Sequence, residues 1–367
     1  MRVGIADADL IGKQKQRFPN LVCMKLSAYH KNIGDDVELL LDYDSIESFD
    51  KVYISKVFTE TPVPEWVLNA PWVECGGTGF FYDKAPPLPY EIEHIMPDYH
   101  LYDVFVNKAI ESGIKADQLK YYTDYSIGFT TRGCIRGCSF CVNKNYRSCE
   151  KHSPVSEFLD ESRPYICLLD DNVLSCKDWK TIFNELNATG KRFQFKQGMD
   201  ERLLTDEKCE VIFNSNWIGD YIFAFDNIKD RRLVERKLEL MRKHTSKCPK
   251  FYVFCAYNHN DPDSYPGDFW SVDIRAVFER IKILMSYQAI PYIMRYKDYE
   301  QSPYRGMYIN LARWCNQPGI FKRMSFREFS AKANGPGGAA DRYAAEFEKY
   351  HPWIAREYYD MKWSDFK

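Results

Sequence analysis

The chain has 367 residues, 45% hydrophobic and 28% charged, with a net charge of −2. That apolar content excludes a largely disordered chain, and no run reaches the roughly 18 apolar residues that would span a bilayer. Near-neutrality leaves no global electrostatic footprint for nucleic acid, and the length allows two or three domains.

The opening segment, Met1 to Asp7, does not read as a signal peptide, because Asp7 and Asp9 interrupt a short apolar stretch. The expected compartment is therefore the cytoplasm, where the twelve cysteines serve as thiols, cluster ligands or core residues rather than disulfides. Residues 1–84 read as a small Rossmann-like α/β domain. Arg2–Ala6 is a strand, and Asn20–Ile33 is a helix with Val22, Leu26, Tyr29 and Ile33 on one face. Gly34 is its stop. Val37–Leu41, Val52–Ser55 and Trp72–Cys75 are further strands. Ala85-Pro-Pro-Leu-Pro89 begins a linker and connector over 85–120, with one helix near Leu101–Ser112.

From Tyr121 short apolar runs recur: Tyr125–Thr130, Tyr165–Leu169, Arg192–Lys196, Tyr221–Phe225, Phe251–Ala256 and Pro291–Tyr296. Six strands with helices between them predict a partial (β/α)6 TIM-type barrel over 121–300. Chemistry in such a barrel sits just after each strand. Residues 301–367 are expected to form a mostly helical C-terminal extension, interrupted at the glycine-rich stretch Asn334–Ala340.

The strongest motif follows the first barrel strand: Cys134, Cys138 and Cys141, spaced C-x-x-x-C-x-x-C. Three thiolates on one loop can converge on one metal centre, and Gly133 and Gly137 let the backbone turn tightly around it. Three ligands suit a 4Fe–4S cluster that keeps one iron open. Zinc or three unrelated thiols are the alternatives, but zinc motifs usually pair ligands from two loops.

This motif, with Phe140 before its last cysteine, resembles that of the radical SAM superfamily. The resemblance implies that Cys134, Cys138 and Cys141 hold three irons and that the fourth binds S-adenosylmethionine (SAM). It further implies a flavodoxin- or ferredoxin-like electron donor, reductive cleavage of SAM to a 5′-deoxyadenosyl radical, and hydrogen abstraction from an unknown substrate. Phe140 would lie near the adenine. Asp170 or Asp171, after the second strand, would accept from the SAM amino group. Gln197, Asp200 and Arg202 follow the third strand and resemble the family's polar motif for ribose and carboxylate. Asp226-Asn227, Tyr257-Asn258-His259 and Arg295 end the next three strands. Asn258 and Arg295 join the SAM set, while helix capping or surface polarity is the favoured reading of Asp226, His259 and, taken singly, Arg295.

The N-terminal stretch resembles the superfamily's cobalamin-binding subgroup through Asp7, Asp9, Gly12, Ser55 and the Gly76-Gly77 pair. Asp9 stands where the cobalt-ligating histidine would be, and a carboxylate prefers harder ions. Cobalamin is therefore not expected, and the domain reads as a reduced relative. A cobalamin-dependent radical methyltransferase is the first alternative, and a non-catalytic iron–sulfur or zinc scaffold the second. The basic stretch Lys229–Lys250 reads as a barrel helix with a solvated face, with a nucleic-acid contact as its alternative.

Overall fold

The computed structural model of the protein describes residues 1–13, 18–257 and 269–366. The chain divides into two compact units, Met1–Lys196 and Gln197–Lys367.

The first unit opens with four parallel strands, β1 (Arg2–Asp7), β2 (Asp36–Leu40), β3 (Lys51–Ser55) and β4 (Val73–Gly76), in the order β2-β1-β3-β4. Central β1 is buried from Val3 to Asp7, as a strand covered on both faces must be. The helix Leu21–Asn32 covers one face. Its N-cap, Asn20, accepts from the amides of Val22 and Cys23, and Gly34 at φ +88° supplies the left-handed stop. The helix buries more than the expected stripe: Cys23, Met24 and Ala28 are inside, while Ile33 lies beyond the last turn and is exposed. Residues of the connector thicken this face. Ile92, Tyr99, Leu101, Tyr102 and Tyr122 join Val3, Ile5 and Met24 in one apolar cluster. The opposite face packs Ala6, Leu40, Phe49, Val52 and Ile54.

The same unit continues with β5 (Tyr125–Gly128), the short antiparallel pair β6 (Thr131–Gly133) and β7 (Cys149–Lys151), then β8 (Tyr165–Leu168) and β9 (Arg192–Phe195). Strands β5, β8 and β9 form a parallel sheet in that order.

In the second unit β10 (Ile222–Ala224), β11 (Lys250–Cys255) and β12 (Ile290–Arg295) form another parallel sheet. Phe251, Val253 and Cys255 alternate inward along β11, and the helices Arg231–His244 and Phe269–Ser286 bury apolar faces of their own. Arg280 is 2% exposed; its guanidinium donates to the carbonyls of Phe225, Asp226 and Phe254, tying together the ends of β10 and β11. The open edge of β12 is blocked at Ile293, whose N–H and C=O both bond the Asn316 amide.

All six strand runs predicted after Tyr121 are strands, each a residue or two shorter or shifted. Beyond Tyr296, where the periodic pattern fades, the chain is helical: Arg305–Cys315, Phe326–Ala333, Ala339–Tyr350 and Pro352–Tyr358. Ser325 and Glu328 close a reciprocal capping box on the second of these. The architecture is thus α/β, with a small Rossmann-like sheet first, further parallel strands next and a helical C-terminal region. Among the described residues no helix is long and apolar enough to cross a membrane.

Candidate functional site

The cysteine loop is carried between the two legs of the β6–β7 pair, in which Gly133 faces Cys149. Gly133 has φ +92°, and a Cβ there would run into the Ser148 carbonyl and stand 2.9 Å from the Tyr146 ring. The loop therefore turns on a residue that only glycine fills without strain.

The end of β8 grips this loop. Asp170 is buried, and its carboxylate accepts from the N–H and hydroxyl of both Thr130 and Thr131, at 2.6–3.0 Å. Burial pushes its carboxyl up from the ordinary value, and the threonine hydrogen bonds oppose that shift. Asp171 accepts from the Gly133 amide at 2.8 Å and from Asn143 Nδ2 at 2.5 Å, on the far side of the cysteines. Asn172 Nδ2 donates to Cys134 Sγ at 3.3 Å.

The sulfurs of Cys134 and Cys141 accept hydrogen bonds. Cys134 Sγ also accepts from the Arg136 amide, and Cys141 Sγ from the Asn143 amide, both at 3.3 Å. N–H···S contacts of this kind stabilise a thiolate and tune a cluster held by it. Burial, with smaller contributions from Asp171 and Cys134, holds the Cys141 thiol above its ordinary value, so metal binding must release a proton there. Among the described residues no group of three or more His, Cys, Asp or Glu side chains is arranged to hold a metal ion. The fit to a cluster accordingly rests on the donor chemistry of three partly exposed thiols on one loop. Cys149, by contrast, is buried, and its thiol bonds the Asn172 carbonyl at 3.4 Å.

In the second unit Asp200 caps the turn Glu201–Leu203 and holds Arg202 Nε at 2.6 Å, while the Arg202 guanidinium also lies 3.7 Å from Asp230. Gln197 is exposed, and Arg295 lies over the Tyr299 ring at 4.5 Å. Asn258 and His259 lie outside the described residues. Asp226 accepts from the Phe254 amide at 3.3 Å, and burial pushes its carboxyl up to about 6. Two groups escaped sequence reasoning. Glu201 is 3% exposed, and burial followed by the Asp200 charge pushes its carboxyl up to about 8. Arg280 sits mid-helix, where its periodic position among apolar residues was the only available signal.

Over 80% of its length the chain is similar to a solved radical S-adenosylmethionine methyltransferase, TsrM from Kitasatospora setae, described with cobalamin and a [4Fe-4S] cluster bound. The match covers 74% of that protein, with a TM-score of 0.52 and 13% sequence identity. What the two share is the fold. No protein-family model matches the chain, and no curated protein does. The fold expected from the sequence thus has a counterpart over 80% of the chain's length.

The strand ends of the N-terminal sheet are occupied by the chain itself. Asp9 is 1% exposed and accepts from the Val57 amide at 2.6 Å and from the Thr61 hydroxyl. Asp7 accepts from the amides of Asp9 and Leu10 and from the Tyr102 hydroxyl, and Asn20 Nδ2 donates to Ser55 Oγ at 3.0 Å. A Cβ on Gly12 would lie 2.8 Å from Thr61, and one on Gly77 would strike the Lys56 carbonyl; one on Gly76 would meet nothing within 4 Å.

Two outcomes follow from the carboxylates. Asp170→Ala leaves two buried amides unpaired at about 1–3 kcal/mol each, so urea denaturation should show a loss of about 2–6 kcal/mol. Glu201 is protonated more readily folded than unfolded. Its contribution to stability is therefore full below pH 4.5 and is lost as pH rises toward about 8. The free energy of unfolding measured across that window should fall with rising pH in the parent and fall less in Glu201→Gln.

Proposed function

We propose that this protein is a radical SAM enzyme acting on a substrate yet to be identified. The observation that carries this reading is the three-cysteine loop, anchored by Asp171 and Asn172, in a fold similar to that of a radical SAM methyltransferase. Cys134, Cys138 and Cys141 would hold a 4Fe–4S cluster. When bound, that cluster supplies the electron that splits SAM into methionine and a 5′-deoxyadenosyl radical able to take hydrogen from substrate. The electron itself would come from a flavodoxin- or ferredoxin-like donor.

The chain's own residues divide the remaining work. Asp170 is buried and accepts four hydrogen bonds from Thr130 and Thr131, so its role is to fix the loop, whereas Asp171 accepts two. Asp171 is the partly exposed carboxylate of the pair and the one offered to the SAM ammonium. Phe140, half-buried on the loop, is offered to the adenine. For Gln197, Asp200, Arg202, Asn258 and Arg295 the assignment to SAM rests on their places after the strands.

Reconstitution without air should give about four irons per chain, as one cubane requires. Alanine at Cys134, Cys138 or Cys141 should abolish it, and alanine at Cys149 or Cys315 should not. Stoichiometric zinc without sulfide would overturn the reading in favour of the scaffold alternative.

The N-terminal domain is proposed to act without cobalamin. Asp9 is committed to Val57 and Thr61, and the segment Lys56–Thr61 lies against Gly12 and Gly77. These side chains do not fit a ligand to cobalt. Equilibrium dialysis with hydroxocobalamin at micromolar protein should leave no stoichiometric corrin. Retention of one per chain, lost in Gly76→Val, would favour the methyltransferase alternative.

A further inference from the structure

Residues 82–83 leave the N-terminal sheet and meet the cysteine loop directly. The Tyr82 hydroxyl donates to the carbonyl of Phe140, between Cys138 and Cys141, at 2.9 Å. Asp83 pairs with Lys144 at 3.0 Å, and its own carbonyl accepts from Asn145 Nδ2 at 3.1 Å. Lys144 Nζ also lies 5.6 Å from the centre of the Tyr82 ring. Two consecutive residues therefore make four contacts with one short stretch of loop.

The backbone that delivers them is strained. Tyr82 has φ +50° and ψ −118°, a conformation that residues bearing a Cβ seldom adopt. Strain of this kind persists only where surrounding contacts hold it. The holding contacts are on the page: Gly77 at φ +96° and Gly79 press the preceding turn against Lys56, and the loop takes the Tyr82 hydroxyl and the Asp83 carboxylate.

We propose that Tyr82 and Asp83 are positioning residues that latch the Phe140–Asn145 side of the cysteine loop, adding to the hold of Asp171 on Gly133 and Asn143. This rests on the radical SAM reading. It gives the N-terminal domain a task that needs no cofactor of its own: fixing the peptide that carries Phe140 and Cys141. A purely local role, filling space beside the linker, would leave the cluster indifferent to the loss of one hydroxyl and one charge.

The test uses the full chain, reconstituted without air. Tyr82→Phe removes only the hydroxyl, Asp83→Asn only the charge, and Lys144→Gln breaks the same ion pair from the loop side. Each should speed the loss of iron to a chelator at least fivefold and alter the electron paramagnetic resonance of the reduced cluster with SAM present. Trypsin should cut faster at Arg136, Lys144 or Arg147, using Tyr82→Phe and Asp83→Asn for the Lys144 site. The unfolding midpoint should stay put, and Asp83→Glu should restore the parent behaviour. Iron-loss rates within twofold of the parent, with an unchanged spectrum in all three variants, would overturn the latch while leaving the cluster reading intact. If instead the triple cysteine-to-alanine chain keeps its iron, the cluster reading itself fails. The trypsin rates of the metal-free Tyr82→Phe and Asp83→Asn chains then decide the latch alone: faster cutting supports it, and parent-like cutting overturns it.

Discussion

The arrangement of the cysteine loop depends on one buried carboxylate. Asp170 gathers four donors from Thr130 and Thr131 and so fixes the exit of β5 against the end of β8. A buried carboxylate is costly when unpaired. Here every oxygen is satisfied, and the threonine amides, which the β5–β8 ladder no longer reaches, are satisfied with it. From this fixed point the chain runs through Arg132 and Gly133 into the cysteines. The neighbouring Asp171 and Asn172 then reach across to Gly133, Asn143 and Cys134. The loop's conformation is thus imposed from β8, residues that are remote in sequence.

The same device recurs at other strand ends. Asp7, the last residue of β1, collects two amides and a tyrosine hydroxyl. Asp226 after β10 takes the Phe254 amide, and Asp273 takes the amide of Ala256, which stands at φ +62° just past β11. Just past the paired stretch of a parallel strand, backbone amides no longer have a ladder partner. A short acidic side chain meets that need, and burial then raises the carboxyl's proton affinity. Acidic residues after strands are therefore ambiguous in a sequence: the same position suits a ligand contact and a structural clasp. Asp170 and Asp171, adjacent in the chain, illustrate the division, one enclosed and the other partly exposed.

This ambiguity marks the limit of what could be read in advance. Strand positions were legible because apolar runs bounded by polar residues report burial on both faces, and the cysteine spacing was legible because it is local. The β6–β7 pair was not, since three-residue strands carry no period. The C-terminal region was legible as helical but the bounds of its helices were not, since their burial follows from contacts such as Trp314 on Phe326, Phe326 on Phe278 and Tyr308 on Trp270. The buried ionic groups Glu201 and Arg280 were invisible for the opposite reason: their types predict exposure, and only the fold reveals what surrounds them.

The N-terminal domain shows why a shared fold and a shared ligand are separate questions. Ligands of open α/β sheets occupy the crevice at the strand ends where the order reverses, here between β1 and β3. In this chain that crevice carries a closed set of hydrogen bonds from Asp7, Asn20, Ser55 and Tyr102. A ligand entering there would have to break bonds already made in a buried setting, and its binding energy would be reduced by their cost. The strand order and the crevice are set separately, the order by the apolar cores on both faces and the crevice by a few polar side chains. The outgoing edge of the domain, through Tyr82 and Asp83, touches the cysteine loop.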